Sequence, residues 1–411
     1  MALQRLLLLS GALAFCFASA QAAIAPCTSA RDCSLLGECV AGACVCDVGW
    51  AGVDCGGADL LPFNASAGQG YVNASAASWG GIPMPDSEVA GRWVLLVSEM
   101  ALGCPLQLFQ NNSYVVRAIS DTGPGGPFRH LDTVLPPLSF SVQAIGPTAD
   151  GYYVFYFLGA PNLGAVIDCA AHGVPPGYVH PYPPSMFVLS LAWSKSLAGP
   201  WATRTLFGAN ASASPSGGGG WDCGKTNPSP TLLANGTVIL AFRSVACSGG
   251  NPGEYLGLAS APHWNATTYD THALPVVAPT DGTGSHEDPY LWEDARGNLH
   301  IISHNQGRGN VCNRSSQACG AHLFSGDGGN SWDVSATPAY DLLLLVNETR
   351  MLPATRQRPG LVLDPVSRAP LWLYNGMALV GKGNGDLTQL THTHAMQFAG
   401  AGESGQVPAA A

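Results

Sequence analysis

A degenerate repeat of roughly 55–75 residues constrains the fold of this chain more than any other feature. One half of the repeat begins at a proline or glycine and holds two strand-like segments around a turn; it occurs at 81–100, 143–159, 227–245, 287–305 and 357–376. The other half is a strand, a small or polar turn and usually an aromatic residue; it occurs at 114–128, 187–201, 255–269 and 321–332, with a truncated copy near 392–398. Five copies of a four-stranded unit predict an all-β fold, a five-bladed β-propeller over residues 76–400. The alternative is a β-sandwich with accidental similarity between its strands.

Composition agrees with many short strands and tight turns. Only 11% of the residues are charged, and Gly (51) and Pro (31) are abundant. The net charge is −10 and no basic cluster is present, which argues against nucleic acid and anionic membrane as partners.

Residues 1–22 are typical of a secretory signal, with Arg5 before an apolar core and small residues at two acceptable cleavage sites. No later run reaches the roughly 18 apolar residues of a membrane span. We therefore expect a secreted, extracellular protein, and we expect residues 401–411 to be a disordered tail. Eight Asn-x-Ser/Thr sequons predict a glycosylated surface, at Asn64, Asn73, Asn111, Asn210, Asn235, Asn265, Asn313 and Asn347.

Six cysteines crowd residues 27–55, and the last of them follow the pattern C-x-C-x-x-G-aromatic. This pattern resembles the epidermal-growth-factor-like (EGF-like) module, which we place at 23–57, with a linker at 58–75. The resemblance implies the bridges Cys27–Cys39, Cys33–Cys44 and Cys46–Cys55. The module is either a rigid spacer or a contact for an extracellular protein partner. The acidic residues that bind calcium in some such modules are missing before Cys27.

The remaining cysteines number an even six once Cys16 leaves with the signal. The short separation of Cys312 and Cys319 suits a bridge across a loop. Cys223–Cys247 and Cys104–Cys169 would complete one of the 15 possible connectivities. No C-x-x-C occurs, so we expect no zinc site and no other metal or cofactor.

Residues 325–332 fit the pattern S-x-D-x-G-x-S/T-W. This resembles the Asp box, a hairpin turn found in sialidases and other propellers. Asp327 is expected to accept backbone N–H bonds within the turn. The arginine cluster that a sialidase needs for its substrate carboxylate is not found at the starts of the blades, where only Arg356 and Arg358 qualify.

The strand starts of a propeller converge around one axis. Alignment of Pro230, Pro289 and Pro359 predicts one ring of Ser229, Asp288 and Arg358 and a second ring of Asn227, His286 and Arg356. The second strand of each blade returns to the same face. We therefore predict a polar funnel mouth formed by Asn227, Arg243, His286, Glu287, Asp288, His304, Arg356, Arg358 and Asn375.

The segment Glu287-Asp288-Pro289, followed by a turn and an apolar strand, resembles the E-x-P blade of five-bladed glycosidases such as arabinanases, xylosidases and invertases. The resemblance implies that Glu287 is a general acid. If the protein is an enzyme, we expect Asp288 or His304 to tune that acid. Asn227-Pro228-Ser229 resembles the D-P-S blade of those enzymes, with Asn in place of Asp. No Asp-Pro starts the first blade, so Glu99 is the candidate second carboxylate.

Our main hypothesis is a secreted glycan-recognising propeller that is non-catalytic or weakly catalytic. The alternative is a glycoside hydrolase that uses Glu287 as the acid, with carbohydrate bound by the arginines and amides of the funnel. A protein-binding extracellular scaffold is the second alternative.

Overall fold

The computed structural model describes residues 26–159, 166–178, 188–208, 221–245, 254–278, 285–305, 318–346, 349–379 and 390–401. The predicted signal lies outside these residues, as does the predicted tail apart from Ala401. Among the residues that the structure describes, no helix has the length and apolar character that crossing a membrane requires.

The cysteine-rich segment forms two small hairpins that three disulfides hold together. The first hairpin pairs β1 (Gly37–Val40) with β2 (Ala43–Cys46), and the second pairs β3 (Trp50–Ala51) with β4 (Gly57–Ala58). The bridges are Cys27–Cys39, Cys33–Cys44 and Cys46–Cys55, which confirms the pairing that the EGF-like resemblance implies. A unit this small has little core of its own and depends on such bridges.

Strand β5 (Gly70–Tyr71) lies in the segment that the sequence predicts to be a linker. It pairs with the third strand of the last blade and supplies the outermost strand of that blade. Phe63 and Tyr71 are both buried. The prediction of a linker is therefore wrong for these residues, because a few apolar side chains in a small, polar stretch anchor it to the propeller.

Five antiparallel sheets form the blades of a five-bladed β-propeller. Blade one comprises β6 (Ser78–Trp79), β7 (Pro83–Pro85), β8 (Trp93–Met100), β9 (Ser113–Ser120) and β10 (Arg129–Leu135). Blade two comprises β11 (Phe140–Ile145), β12 (Tyr153–Leu158), β13 (Leu189–Ser194) and β14 (Ala202–Phe207). Blade three comprises β15 (Cys223–Leu232), β16 (Val238–Val245), β17 (Glu254–Ala261) and β18 (Asp270–Thr271).

Blades four and five continue the pattern. Blade four comprises β19 (His286–Glu293), β20 (Leu299–Asn305), β21 (Ala318–Ser325), β22 (Asp333–Val334) and β23 (Tyr340–Asp341). A hairpin of β24 (Leu344–Val346) and β25 (Thr349–Met351) leads to blade five, which comprises β26 (Thr355–Leu363), β27 (Pro370–Ala378), β28 (His392–Gln397) and β5.

Only short helices occur among the described residues. Single 3-10 turns lie at Ala30–Cys33, Ala65–Ala67, Ala101–Gly103 and Leu106–Leu108, and the α-helical turns are α1 (Phe109–Asn112) and α2 (Cys169–His172). A disulfide between Cys104 and Cys169 joins the end of the 3-10 turn Ala101–Gly103 to the start of α2. This is one of the pairings that the sequence left open. Cys223 and Cys319 are also in disulfides, while Cys247 and Cys312 lie outside the described residues.

Each pair of neighbouring blades encloses a buried apolar cluster. Because both faces of a blade are covered, the strands β8 and β12 are buried at every residue. Apolar and aromatic residues fill all of β12 and the first five positions of β8. One cluster lies between each blade and the next, and a fifth lies between blade five and blade one. In that order the clusters include Val94 and Phe155, Tyr156 and Phe242, Leu258 and Leu291, Trp292 and Leu373, and Tyr374 and Trp93. This closed sequence of clusters excludes two stacked sheets.

The Asp box forms the turn between β21 and β22. Asp327 Oδ1 accepts the backbone N–H groups of Asn330 and Ser331 at 3.0 and 2.9 Å, which confirms the expected turn geometry. The indole N–H of Trp332 closes the turn on the carbonyl oxygen of Gly329 at 3.1 Å.

The N-terminal disulfide-rich module packs against blades four and five. Trp50 is buried and its ring stacks on Trp292 at 5.9 Å between centroids, while Phe398 covers it from the side. Arg296, in the turn after β19, forms an ion pair with Asp47 of the module. This turn lies at the opposite end of β19 from Glu287, so the module covers the end of blade four that is distant from the predicted funnel.

Replacement of Trp50 by Ala should destabilise the docked module and the propeller together. Loss of a buried aromatic side chain costs about 3–5 kcal/mol, so we expect a lower urea midpoint for the full chain. Val48→Ala is the control, because that valine is 57% exposed on the same module. Equal midpoints for the two variants would contradict the packing described here.

Candidate functional site

One residue in the innermost strand of four blades has a left-handed backbone. These residues are Ser141 (φ 56°), Asn227 (φ 52°), Asp288 (φ 53°) and Arg358 (φ 51°). Each lies where the pairing with the second strand shifts register, which defines a β-bulge. Proline follows the bulge residue in blades three to five, where its missing N–H is tolerated.

The bulges correct the predicted rings. Pro228, not Pro230, is the structural equivalent of Pro289 and Pro359, so Asn227 joins Asp288 and Arg358, and Ser229 does not. Ser229 instead accepts the backbone N–H of Leu291 at 2.8 Å. A shift of two residues leaves the same faces of a strand buried, so the apolar pattern could not distinguish the two alignments.

Asp288 bonds to two of the other bulge residues, Asn227 and Arg358. Its Oδ1 accepts a hydrogen bond from Asn227 Nδ2 at 2.5 Å and lies 3.1 Å from Arg358 Nε, and its Oδ2 accepts the backbone N–H of Arg358 at 3.3 Å. Arg358 also donates to Ser141 Oγ of blade two. Burial raises the pKa of Asp288, and the charge of Arg358 opposes this rise.

Glu287 lies next to this network and is partly open to solvent, with 23% of its side chain exposed. Arg243 Nε is 3.8 Å from Glu287 Oε1, and His304 Nδ1 is 3.9 Å from Oε2. Desolvation raises the pKa of Glu287, but Arg243 and His304 outweigh it and lower that pKa to about 2. Glu287 is therefore ionised at neutral pH.

Glu254, at the start of β17, is a site residue that the sequence reasoning missed. Its Oε1 accepts a hydrogen bond from the Arg243 guanidinium, which lies between Glu254 and Glu287. Burial and the charge of Glu287 raise the pKa of Glu254 to about 8 despite Arg243. The available signal was an acidic residue directly before an apolar strand; the predicted half-repeat began one residue later.

Three predicted funnel residues, His286, Arg356 and Asn375, lie in the interior between strands and blades and not in the funnel. His286 Nδ1 is 2.9 Å from Ser303 Oγ, and both are buried. Arg356 is 2% exposed; it donates to Asn375 Oδ1 at 3.1 Å and stacks on Tyr340. The bulge changes which face each side chain takes, so residues on either side of it do not share a surface.

Glu99 does not supply a second carboxylate to the funnel. It accepts hydrogen bonds from the phenol groups of Tyr71 and Tyr114 and from Asn73 Nδ2 at 3.1 Å. Tyr71 belongs to the outermost strand of blade five, so Glu99 lies buried between blades one and five. The sequence correctly placed Glu99 at the end of an apolar strand. The apolar pattern does not show which way the Glu99 side chain points.

Glu287, Asp288 and His304 have potential metal-ligand atoms within 4.8 Å of one another. The guanidinium groups of Arg243 and Arg358 already face these carboxylates and supply the positive charge that a cation would bring. We assign no metal here, and the expectation of a metal-free site stays a prediction.

No protein-family model and no curated protein sequence matches the chain. Among solved structures, it is similar to the catalytic domain of a GH62 α-L-arabinofuranosidase from Coprinopsis cinerea, with a TM-score of 0.50, 9% identity, and coverage of 86% of this chain and 97% of that one. A protein of unknown function from Dyadobacter fermentans has a TM-score of 0.48 and 12% identity, with coverage of 80% of this chain and 85% of that one. The first likeness supports the five-bladed fold and does not extend to an activity.

Asp288→Asn should lower the free energy of unfolding by about 3–5 kcal/mol, because it leaves the buried Arg358 without its charge partner. Combining it with Arg358→Met should restore part of that loss, since no unpaired charge then remains. Denaturant unfolding measures both effects.

Asp132→Asn is the control for a surface pair. Asp132 is 47% exposed in its ion pair with Arg117, so we expect a loss of only about 0–1 kcal/mol. A similar small loss for Asp288→Asn would show that the network does not hold the blades.

Proposed function

We propose that the protein binds glycans through a polar funnel at the propeller axis and does not hydrolyse them by a two-carboxylate mechanism. The funnel is defined by Asn227, Arg243, Glu254, Glu287, Asp288 and Arg358. One observation carries the proposal: four bulged strands bring a hydroxyl, an amide, a carboxylate and a guanidinium to one place.

A sugar suits this combination of groups. Its hydroxyls both donate and accept hydrogen bonds, so it can satisfy carboxylates and guanidinium groups at the same time. Glu287 and Arg243 are the partly exposed members, with 23% and 17% of their side chains accessible. We therefore assign them the direct contact with the ligand and assign Asn227, Asp288 and Arg358 to holding them in place.

The absence of hydrolysis is supported by the first blade. Gly80, with φ 73°, takes the corresponding place there and brings no carboxylate, and a Cβ on it would lie 3.5 Å from Arg358 Cδ. Hydrolysis usually needs one protonated and one ionised carboxylate on opposite sides of the scissile bond. Glu254 and Glu287 are not arranged in this way, because the Arg243 guanidinium lies between them. The low pKa of Glu287 argues against its use as the proton donor at neutral pH.

We also propose that the protein is secreted and that its sequons carry glycans. The oxidised cysteines support an extracellular setting. The divisions at 1–22, 23–57, 76–400 and 401–411 remain our proposal for its domain organisation.

The glycan site is tested by Glu287→Gln on a glycan array with the full secreted chain. We expect binding to weaken by at least about tenfold, because a charged hydrogen bond is worth roughly 1.5–3 kcal/mol. Glu293→Gln is the matched control at the other end of the same strand. Glycan binding that is unchanged by Glu287→Gln would reject the funnel as the site.

A chromogenic glycoside panel separates binding from turnover. We expect no hydrolysis by the wild-type chain above that of a Glu287→Gln/Glu254→Gln variant. Hydrolysis that disappears in Glu287→Gln would favour the glycosidase alternative.

A protein-binding scaffold is the second candidate. Val40, Val45, Val48 and Val53 of the EGF-like module are each more than half exposed, which is an apolar surface available to an extracellular partner. A chain that binds no glycan, and that captures a cell-surface protein only when these valines are intact, would favour this candidate.

A further inference from the structure

The funnel contains three carboxylates but only two guanidinium groups. Glu254, Glu287 and Asp288 face Arg243 and Arg358, and the side chains of Glu254 and Asp288 are 7% and 3% exposed. Buried like charges at close range cannot all remain ionised, so such a cluster retains a proton.

Hydrogen-bond donors distinguish the three carboxylates. Asp288 accepts a hydrogen bond from Asn227 Nδ2 on Oδ1 and one from the Arg358 backbone N–H on Oδ2, and its Oδ1 forms an ion pair with Arg358 Nε. Glu287 has Arg243 facing Oε1 and His304 facing Oε2.

Glu254 differs from both. Arg243 donates to its Oε1, whereas its Oε2 is buried and has no hydrogen-bond partner among the described residues. A buried carboxylate oxygen without a donor is costly when ionised, and protonation converts that oxygen into a donor.

We propose that Glu254 holds the proton of the funnel and is a ligand-positioning carboxylic acid. Its O–H group is available to an acceptor oxygen of a ligand, and its neutral state leaves Arg243 free to face Glu287. Only the nature of that acceptor, a glycan oxygen, rests on the proposed function. The proton assignment stands on the cluster itself.

The charged groups that face Glu254 come from two strands. Arg243 is on β16, and Glu287 and Asp288 are on β19; His304 of β20 and Arg358 of β26 lie behind these two acids. While Glu254 is protonated, the negative charges of Glu287 and Asp288 balance the positive charges of Arg243 and Arg358. Ionisation of Glu254 would leave the funnel with one excess negative charge.

The sign of the pH dependence follows from the raised pKa of Glu254, about 8. The unfolded chain has the ordinary glutamate pKa of roughly 4.3, so the stability that Glu254 contributes is complete below that pH. It is lost as the pH rises through 8. Glu254→Gln keeps a neutral side chain with a donor and cannot titrate.

Thermal unfolding of the full chain from pH 4.5 to pH 9 tests the assignment without any ligand. We expect the Tm of the wild type to fall relative to Glu254→Gln by about 2 °C or more across this range. Glu88→Gln, which changes an exposed glutamate, should run parallel to the wild type.

Carbon-13 labelling of glutamate δ-carbons gives a second readout. The resonance that Glu254→Gln removes should titrate in the wild type with a midpoint near 8. A midpoint below about 4.3, or a Tm of the wild type that rises relative to Glu254→Gln with pH, would mean that Glu254 is an ionised partner of Arg243 and would overturn the proposal. Failure of the glycan array would leave this result unaffected.

Discussion

The left-handed backbone at Ser141, Asn227, Asp288 and Arg358 is the constraint on which the site depends. A non-glycine residue in this conformation costs about 1–3 kcal/mol and persists only where its surroundings hold it. Here the surroundings are the other blades: Asn227 and Arg358 bond to Asp288, and Arg358 bonds to Ser141. The closed ring of apolar clusters keeps the strands near one axis, and the bulges turn polar side chains into it.

The charge distribution follows from this geometry. Arg243 lies between Glu254 and Glu287, and Arg358 pairs with Asp288, which lowers the cost of burying the carboxylates. Donors reach both oxygens of Asp288 but only one oxygen of Glu254, so the same cluster separates ionised from protonated acids. A site of this kind presents acceptors and donors in fixed positions, which is what recognition of a polyhydroxylated ligand requires.

Much of the architecture could be predicted from the sequence because it is repeated or covalently fixed. The spaced apolar strand pairs predicted five blades, the cysteine spacing predicted the module bridges through a family resemblance, and the Asp box predicted a turn. The segment at 58–75 was misjudged because Phe63 and Tyr71 are too few to form a recognisable strand pattern. Their burial depends on blade five, more than 300 residues later in the chain.

The site was predicted only in part. Asn227, Arg243, Glu287, Asp288 and Arg358 were placed together, because strand starts converge in any propeller. The prediction also included four residues that point elsewhere: His286, Arg356, Asn375 and Glu99. A bulge or a strand end changes the direction of a side chain without changing the apolar pattern. Glu254 is the first residue of the third strand of its blade, and no local feature indicates that this strand starts beside the axis.

A double-mutant cycle between Ser141 and Arg358 tests the central claim most directly. These residues are 217 positions apart and belong to blades two and five, so they interact only if the bulges converge. Unfolding free energies of Ser141→Ala, Arg358→Met and the combined variant should give a coupling energy of about 0.5 kcal/mol or more. Strictly additive effects of the two substitutions would contradict convergence at a shared axis.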